Sequence, residues 1–172
     1  MDQYPFKCLA IVALAVCVSS LTGFCGQIND AARTGDLATV KRLLKENPAL
    51  VSRTAFDGWT PLDEAADNGY LAMARVLAAN GAKINLRGKG GRSPLSLATM
   101  YGHRDIVRLL LEHGANADVK DDDGVTPLHL AAWNGYSDVA KLLLTHGADA
   151  MARDKKGETP LDWAIERGDQ RM

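Results

Sequence analysis

Three cysteines are all that the 172 residues contain, and Cys8, Cys17 and Cys25 fall within the first 25 positions. No thiol follows Cys25, so no internal disulfide can staple the rest of the chain, which must be held by packing alone. Charge of one sign is missing as well: 20 Lys and Arg face 21 Asp and Glu, a net charge of −1. One basic and one acidic residue lie in the first 26 positions, so the remainder has the same net charge. A chain without a net field has no long-range pull on nucleic acid or anionic membrane, and no nucleic-acid partner is expected. Aromatics are few, 6% of residues. What is there, 47% apolar and 24% charged, is the composition of a soluble domain with a core of its own.

One long apolar run exists, at the N-terminus. "MDQYPFKCLAIVALAVCVSSLTGFCG" places Lys7 before apolar Cys8 to Val18 and small or polar residues after it, the order of a secretory signal peptide. Eleven apolar residues are too few to cross a bilayer, and extension to Phe24 gives 17, the lower limit. Residues 1–26 are therefore expected to be a signal peptide and 27–172 a periplasmic or secreted domain that does not itself contact the membrane. A membrane anchor through residues 8–24 and a buried N-terminal helix are the alternatives. Cleavage after Ser20, Gly23 or Cys25 is open; Phe24 is too large to favour lipidation at Cys25.

After residue 27 one period governs everything. Thr60-Pro61, Ser93-Pro94, Thr126-Pro127 and Thr159-Pro160 are each 33 residues apart, as are Gly69, Gly102, Gly135 and Gly168. Gly81-Ala82, Gly114-Ala115 and Gly147-Ala148 share the spacing. A fixed period of this size marks stacked supersecondary units. Thr or Ser caps a helix N-terminus, and Pro at the first helical position gives up no hydrogen bond. Short helices "PLDEAADN", "PLSLATMY", "PLHLAAWN" and "PLDWAIER" follow, with small alanines that let helices approach. A Gly ends each. Second helices such as "DIVRLLLEHG" and "DVAKLLLTHG" end at a left-handed glycine, and "KDDDG" or "RDKKG" then makes an Asp/Gly turn.

These motifs, above all "TPLHLAAWNG", "VRLLLEHGANADVKDDDG" and "AKLLLTHGADAMARDKKG", resemble the ankyrin-repeat family over residues 28–172. The resemblance implies an all-α solenoid of helix–turn–helix units with projecting β-hairpin loops. About five units are expected. "INDAARTGDLATVKRLLKENPALV" resembles a first repeat with a polar opening helix, although Gly35 to Gly69 is 34 residues and Pro48 stands near an expected glycine. The last unit is incomplete, which leaves the outward side of "DVAKLLLTHG" short of cover. Fraying of that end is expected; cover by another subunit or a partner is the alternative.

Chemical readings compete with this one. Asp63, Ser96, His129 and Asp162 share a repeat position, and Ser96–His129–Asp162 has the composition of a hydrolase triad. Packed helices stand about 8–10 Å apart, whereas nucleophile and base need about 2.6–3.2 Å. A hydrolase or metal-dependent enzyme on that row is thus the alternative reading, and no catalytic residue, metal or cofactor is expected. In the family the histidine at position 129 ties adjacent units together. His113 and His146 lie one repeat apart, too far to share a metal at about 2.0–2.1 Å, and are expected to cap helix ends; His103 is expected to be structural. "KDDDG" has the wrong register for calcium, since Val119 and Leu130 would fall at ligand positions. "GKGGRS" lacks the strand–turn–helix setting of a phosphate loop. Tip charges alternate (Arg87, Lys89, Arg92; Asp121, Asp122, Asp123; Arg153, Lys155, Lys156), which suits a protein surface better than a nucleic-acid groove.

The family's function is protein binding, through the concave helices and loop tips. Mapped onto this chain, the resemblance assigns the partner surface to Phe56, Trp59, Asp67, Asn68 and Tyr70 of the second unit. Arg92, Met100 and Tyr101 follow in the third, and Val125, Trp133, Asn134 and Tyr136 in the fourth. Tyr, Trp, Met and Arg are the residues that interfaces prefer, although some of these rings would instead support the stack. A monomer that binds an unidentified protein partner is the resulting expectation. Protein isolated from exported material is expected to begin at Leu21, Phe24 or Gly26, which its intact mass identifies; a mass retaining Met1 would favour the anchor.

Overall fold

A computed structural model describes residues 26–56 and 58–168. The expected signal peptide lies outside them, except for Gly26. Helix α1 is described over residues 26–34. It is followed by α2 (Leu37–Glu46), α3 (Pro61–Asn68), α4 (Leu71–Ala79), α5 (Pro94–Met100), α6 (Arg104–Glu112), α7 (Pro127–Asn134), α8 (Ser137–Thr145) and α9 (Pro160–Glu166). First helices pack on first helices, α3 on α5, α5 on α7 and α7 on α9; second helices do the same, α2 on α4, α4 on α6 and α6 on α8. The result is an all-α, two-layered repeat stack.

Each first helix from α3 onward begins with a box of two reciprocal hydrogen bonds. Thr60, Ser93, Thr126 and Thr159 are the N-caps, and the third helical residue returns the bond to the cap's backbone N–H. Alanine makes the layer thin: Ala32, Ala65, Ala98, Ala131 and Ala164 recur every 33 residues and are all buried. The second layer is filled by Met73, Ile106 and Val139 in one row and Leu77, Leu110 and Leu143 in another, all buried.

The first unit departs from the period for a local reason. Asn47 caps a 3-10 turn, Pro48–Ser52, by accepting the Ala49 N–H, in the place where later units turn through glycine. Ser52 Oγ then accepts the Lys83 N–H at 2.8 Å. Asn85 Oδ1 takes the Asn116 N–H and Asp118 Oδ1 the Asp149 N–H, each also at 2.8 Å, so each of the first three units hands one acceptor to the next.

The tips are not hairpins with strands; among the described residues no strand forms. Each is a tight turn whose ends are joined by one bond, Ala55 N–H to Trp59 O, Gly88 N–H to Arg92 O, Asp121 N–H to Val125 O and Asp154 N–H to Glu158 O, 2.7–3.0 Å, with a second bond inside it from the glycine N–H (Gly58, Gly91, Gly124, Gly157) back to the first residue's carbonyl at 3.0–3.1 Å. Neighbouring tips are joined as well, Asp122 N–H to Gly90 O at 3.0 Å and Lys155 N–H to Asp123 O at 2.9 Å.

Gly102, at φ +71°, lies under the ring of Tyr136, where an added Cβ would come 2.9 Å from Cζ. Gly147, at φ +87°, has open space at that point. Gly147→Ala is expected to cost about 1–2 kcal/mol from left-handed strain alone. Gly102→Ala should cost more, because the ring that seals the two units must also move. Urea denaturation of both variants measures the difference, and equal losses would show that the Tyr136 contact adds nothing.

Candidate functional site

The polar row across the first helices was the one place where catalysis was conceivable. Asp63 Oδ2 accepts the Thr60 N–H and hydroxyl at 2.8 and 2.7 Å. Ser96 Oγ accepts the Ser93 N–H and donates to the Ser93 carbonyl, both at 2.8 Å. His129 Nδ1 accepts from Thr126, hydroxyl at 2.8 Å and N–H at 3.3 Å, while Nε2 reaches the Glu158 carbonyl at 3.0 Å. A carbonyl only accepts, so this pattern places the proton on Nε2. Asp162 Oδ2 accepts the Thr159 N–H and hydroxyl at 2.8 and 2.7 Å; the hydroxyl first, then the N–H, holds its carboxyl below the ordinary value.

Ser96, His129 and Asp162 are each turned to their own cap three residues earlier. The row does not converge as the hydrolase alternative requires. The Ser96 proton is committed to a carbonyl and the base has no serine partner. His129 joins the fourth unit to the loop of the fifth.

The other candidates are structural in the same way. His113 Nδ1 bonds to Leu109 O at 2.8 Å and His146 Nδ1 to Leu142 O at 2.9 Å, each closing the last turn of a different helix. His103 covers Gly69 and bonds through Nε2 to Asp67 O at 3.0 Å. Asp121 Oδ1 accepts the N–H groups of Asp123 and Val125, and Asp122 pairs with Arg87 at 3.2 Å. In "GKGGRS" the Ser93 hydroxyl caps α5, Arg87 Nε donates to Gly91 O, and Asp122 comes close enough that only a glycine fits at Gly91. Among the described residues no group of three or more His, Cys, Asp or Glu could hold a metal.

The twelve residues assigned to a partner surface divide. Phe56, at a tip, and Tyr101, at the end of α5, are the exposed large aromatics, and Asn68 and Arg92 are exposed too. Asn68 and Asn134 each donate back to a carbonyl of their own helix, Glu64 O and Leu130 O. Asp67 is half-buried; burial pushes its carboxyl above the ordinary value, opposed by His103 and Arg92. Met100, next to Tyr101 in sequence, is half-buried, and the Tyr101 ring stacks on His103 with centroids 6.2 Å apart.

The remaining five serve the stack. Val125 is buried: apolar at the base of a tip whose two ends are closed by Asp121, it turns inward and is not a surface residue. Tyr70 packs over Gly35 and Tyr136 over Gly102, and both lie against the core. Trp59 packs on the core while its carbonyl accepts from Asn29. Trp133 meets Trp163 edge to face, centroids 5.8 Å apart, with the Arg167 guanidinium 5.4 Å over its ring.

Three participants were not anticipated. Trp163 stands edge-on to His129 at 5.4 Å and links it to Trp133. Burial raises the Asp154 carboxyl, but N–H groups of Glu158 and Lys156 and the Trp163 indole outweigh it, and the carboxyl lies below its ordinary value. The 33-residue step from Asp121 pointed to Asp154. Buried Glu64 pairs with Arg33 at 3.2 Å across two units, and no periodic signal marks that pair.

The box at His129 can be tested. His129→Ala is expected to cost about 1–3 kcal/mol, from the buried N–H and hydroxyl of Thr126 left without their acceptor. His129→Ser should cost less, since serine closes the same box at Ser96. Equal losses in urea denaturation would mean that the box itself contributes nothing.

Among the described residues no helix is long and apolar enough to cross a membrane. No curated protein matches the sequence. A family described as "Ankyrin repeats (3 copies)" matches residues 28–88, 84–154 and 126–172. Repeats of that family generally serve protein–protein interaction and are typically non-catalytic. With the capping boxes, the alanine row and the stacked helix pairs, that match covers the whole described stack, and the chain belongs to the ankyrin-repeat family.

Proposed function

We propose that this chain is a non-catalytic binding module that acts outside the cytoplasm, periplasmic or secreted, and grips a protein partner through its first-helix ends and loop tips. The observation that carries the reading is Phe56 and Tyr101. Trp59, Tyr70, Trp133 and Tyr136 are drawn into the stack, yet these two large rings remain exposed on successive units. Aromatic rings carry a large apolar area on few rotatable bonds, so they are effective in an interface with little side-chain entropy to lose on binding. Arg92, Asn68 and Asp67 supply polar contacts around them. Export rests on the order of residues in the leader, Lys7 followed by apolar Cys8 to Val18.

Affinity capture with the tagged protein from the exported fraction tests the surface. Phe56→Ala and Tyr101→Ala are each expected to weaken a captured partner by about 1–3 kcal/mol while the helical spectrum is unchanged. A captured set that survives the double variant intact would remove this face from consideration.

A further inference from the structure

Of the chain's four histidines, His129 is the fully buried one, 0% exposed. Both of its ring nitrogens are in use, and in opposite senses. Nδ1 accepts the Thr126 hydroxyl at 2.8 Å and the Thr126 N–H at 3.3 Å, while Nε2 donates to the Glu158 carbonyl at 3.0 Å. Only a neutral imidazole accepts at one nitrogen and donates at the other. The fourth unit's capping box and its tie to the fifth unit therefore share one ring in one protonation state.

The other histidines and the other boxes lack this property. His103, His113 and His146 each donate from one nitrogen to a carbonyl, a bond that a second proton leaves intact. Ser96 closes its box with a hydroxyl and bonds within its own unit. Asp63 and Asp162 close theirs with carboxylates, a group that ordinarily titrates at about pH 4, against about 6.5 for imidazole.

A second proton on His129 finds no partner. At Nδ1 it would face the Thr126 N–H, donor against donor. The Thr126 hydroxyl can turn to accept it, but the N–H is then left without an acceptor. Helix α7 packs on α5, α8 and α9. Helix α5 carries no ionisable side chain, and Asp138 and Lys141 of α8 are exposed. Glu166 and Arg167, at the far end of α9, are exposed too, and Arg153 of the fifth tip donates to Gly157 O. The carboxylates that act on the ring are Asp154 and Asp162, and neither is bonded to it. Asp154 holds the N–H groups of Lys156 and Glu158 and the Trp163 indole, and Asp162 Oδ2 holds Thr159. Their charge draws a proton towards the ring, but their bonds offer it no acceptor.

We propose that protonation of His129 unlatches the fifth unit from the fourth: the Thr126 box opens, the ring turns, and the tie to Glu158 is lost. Trp163, edge to face with His129 at 5.4 Å and with Trp133 at 5.8 Å, moves with it. The open form binds one proton more than the closed form. Closure is therefore fully favoured above the imidazole range and weakens by up to about tenfold per pH unit below it. The latch acts whether or not Phe56 and Tyr101 meet a partner.

Tryptophan emission from the full chain carrying Trp59→Phe tests it, because the indoles that remain, Trp133 and Trp163, both stand at this junction. The emission maximum is expected to move to longer wavelength between pH 7.5 and 5.5, with most of the far-UV helical signal retained. Its midpoint should coincide with that of the assigned His129 ring protons in NMR. His129→Ser in the same chain, closing the box as Ser96 does, is expected to hold its emission maximum across the range. An unmoved maximum in the chain that keeps His129 overturns the proposal. So does a shift that persists in His129→Ser, or one that accompanies loss of the whole helical signal. If the serine variant does not fold, the midpoints decide, and a ring that titrates apart from the emission change overturns the latch.

Discussion

Helices of seven to ten residues, as α2 to α9 are, fall short of the about 12–15 that an isolated helix needs to persist in water. Each exists here because a neighbouring unit covers one of its sides. Mutual cover in turn demands that units repeat at one pitch, with an alanine wherever two first helices meet and a leucine wherever two second helices do. Nearly every other feature of the chain follows from that demand. The Thr-Pro or Ser-Pro start fixes where a first helix begins, the left-handed glycine fixes where it ends, and the acceptor handed on by Ser52, Asn85 and Asp118 fixes how far the next unit sits.

The same demand disposes of the polar side chains. A serine, a histidine and two aspartates occupy one row, and in a different frame they would be the material of a hydrolase. Here each is three residues from a cap that needs it, and the bonds to Thr60, Ser93, Thr126 and Thr159 hold it there. Stacking spreads such groups one per unit. It suits a long contact surface, to which each unit adds a tip and a helix end, and it suits bond-making chemistry poorly.

The 33-residue step made most of the fold legible before any coordinates, because caps, glycines and alanines have one role that repeats wherever they repeat. The partner surface was harder to read. Position 125 is valine where the row otherwise has Trp59, Arg92 and Glu158, and an apolar residue at the base of a closed tip turns inward. Tyr70 and Tyr136 lie on neighbouring glycines, a contact that depends on side-chain reach across units and leaves no mark in a single repeat. Trp133 is covered from the other direction, by Trp163 and Arg167. Exposure in a stack is set by the neighbour, and a residue's own repeat position does not reveal it.

The bonds between tips have a further consequence. Backbone amides at the point of a surface turn ordinarily exchange with solvent almost at once, yet those of Asp122 and Lys155 are bonded to the preceding tip. Their release requires two units to part. Two protons at the rim of the molecule therefore act as gauges of how often the third, fourth and fifth units breathe against one another, far from the buried layer where cohesion originates.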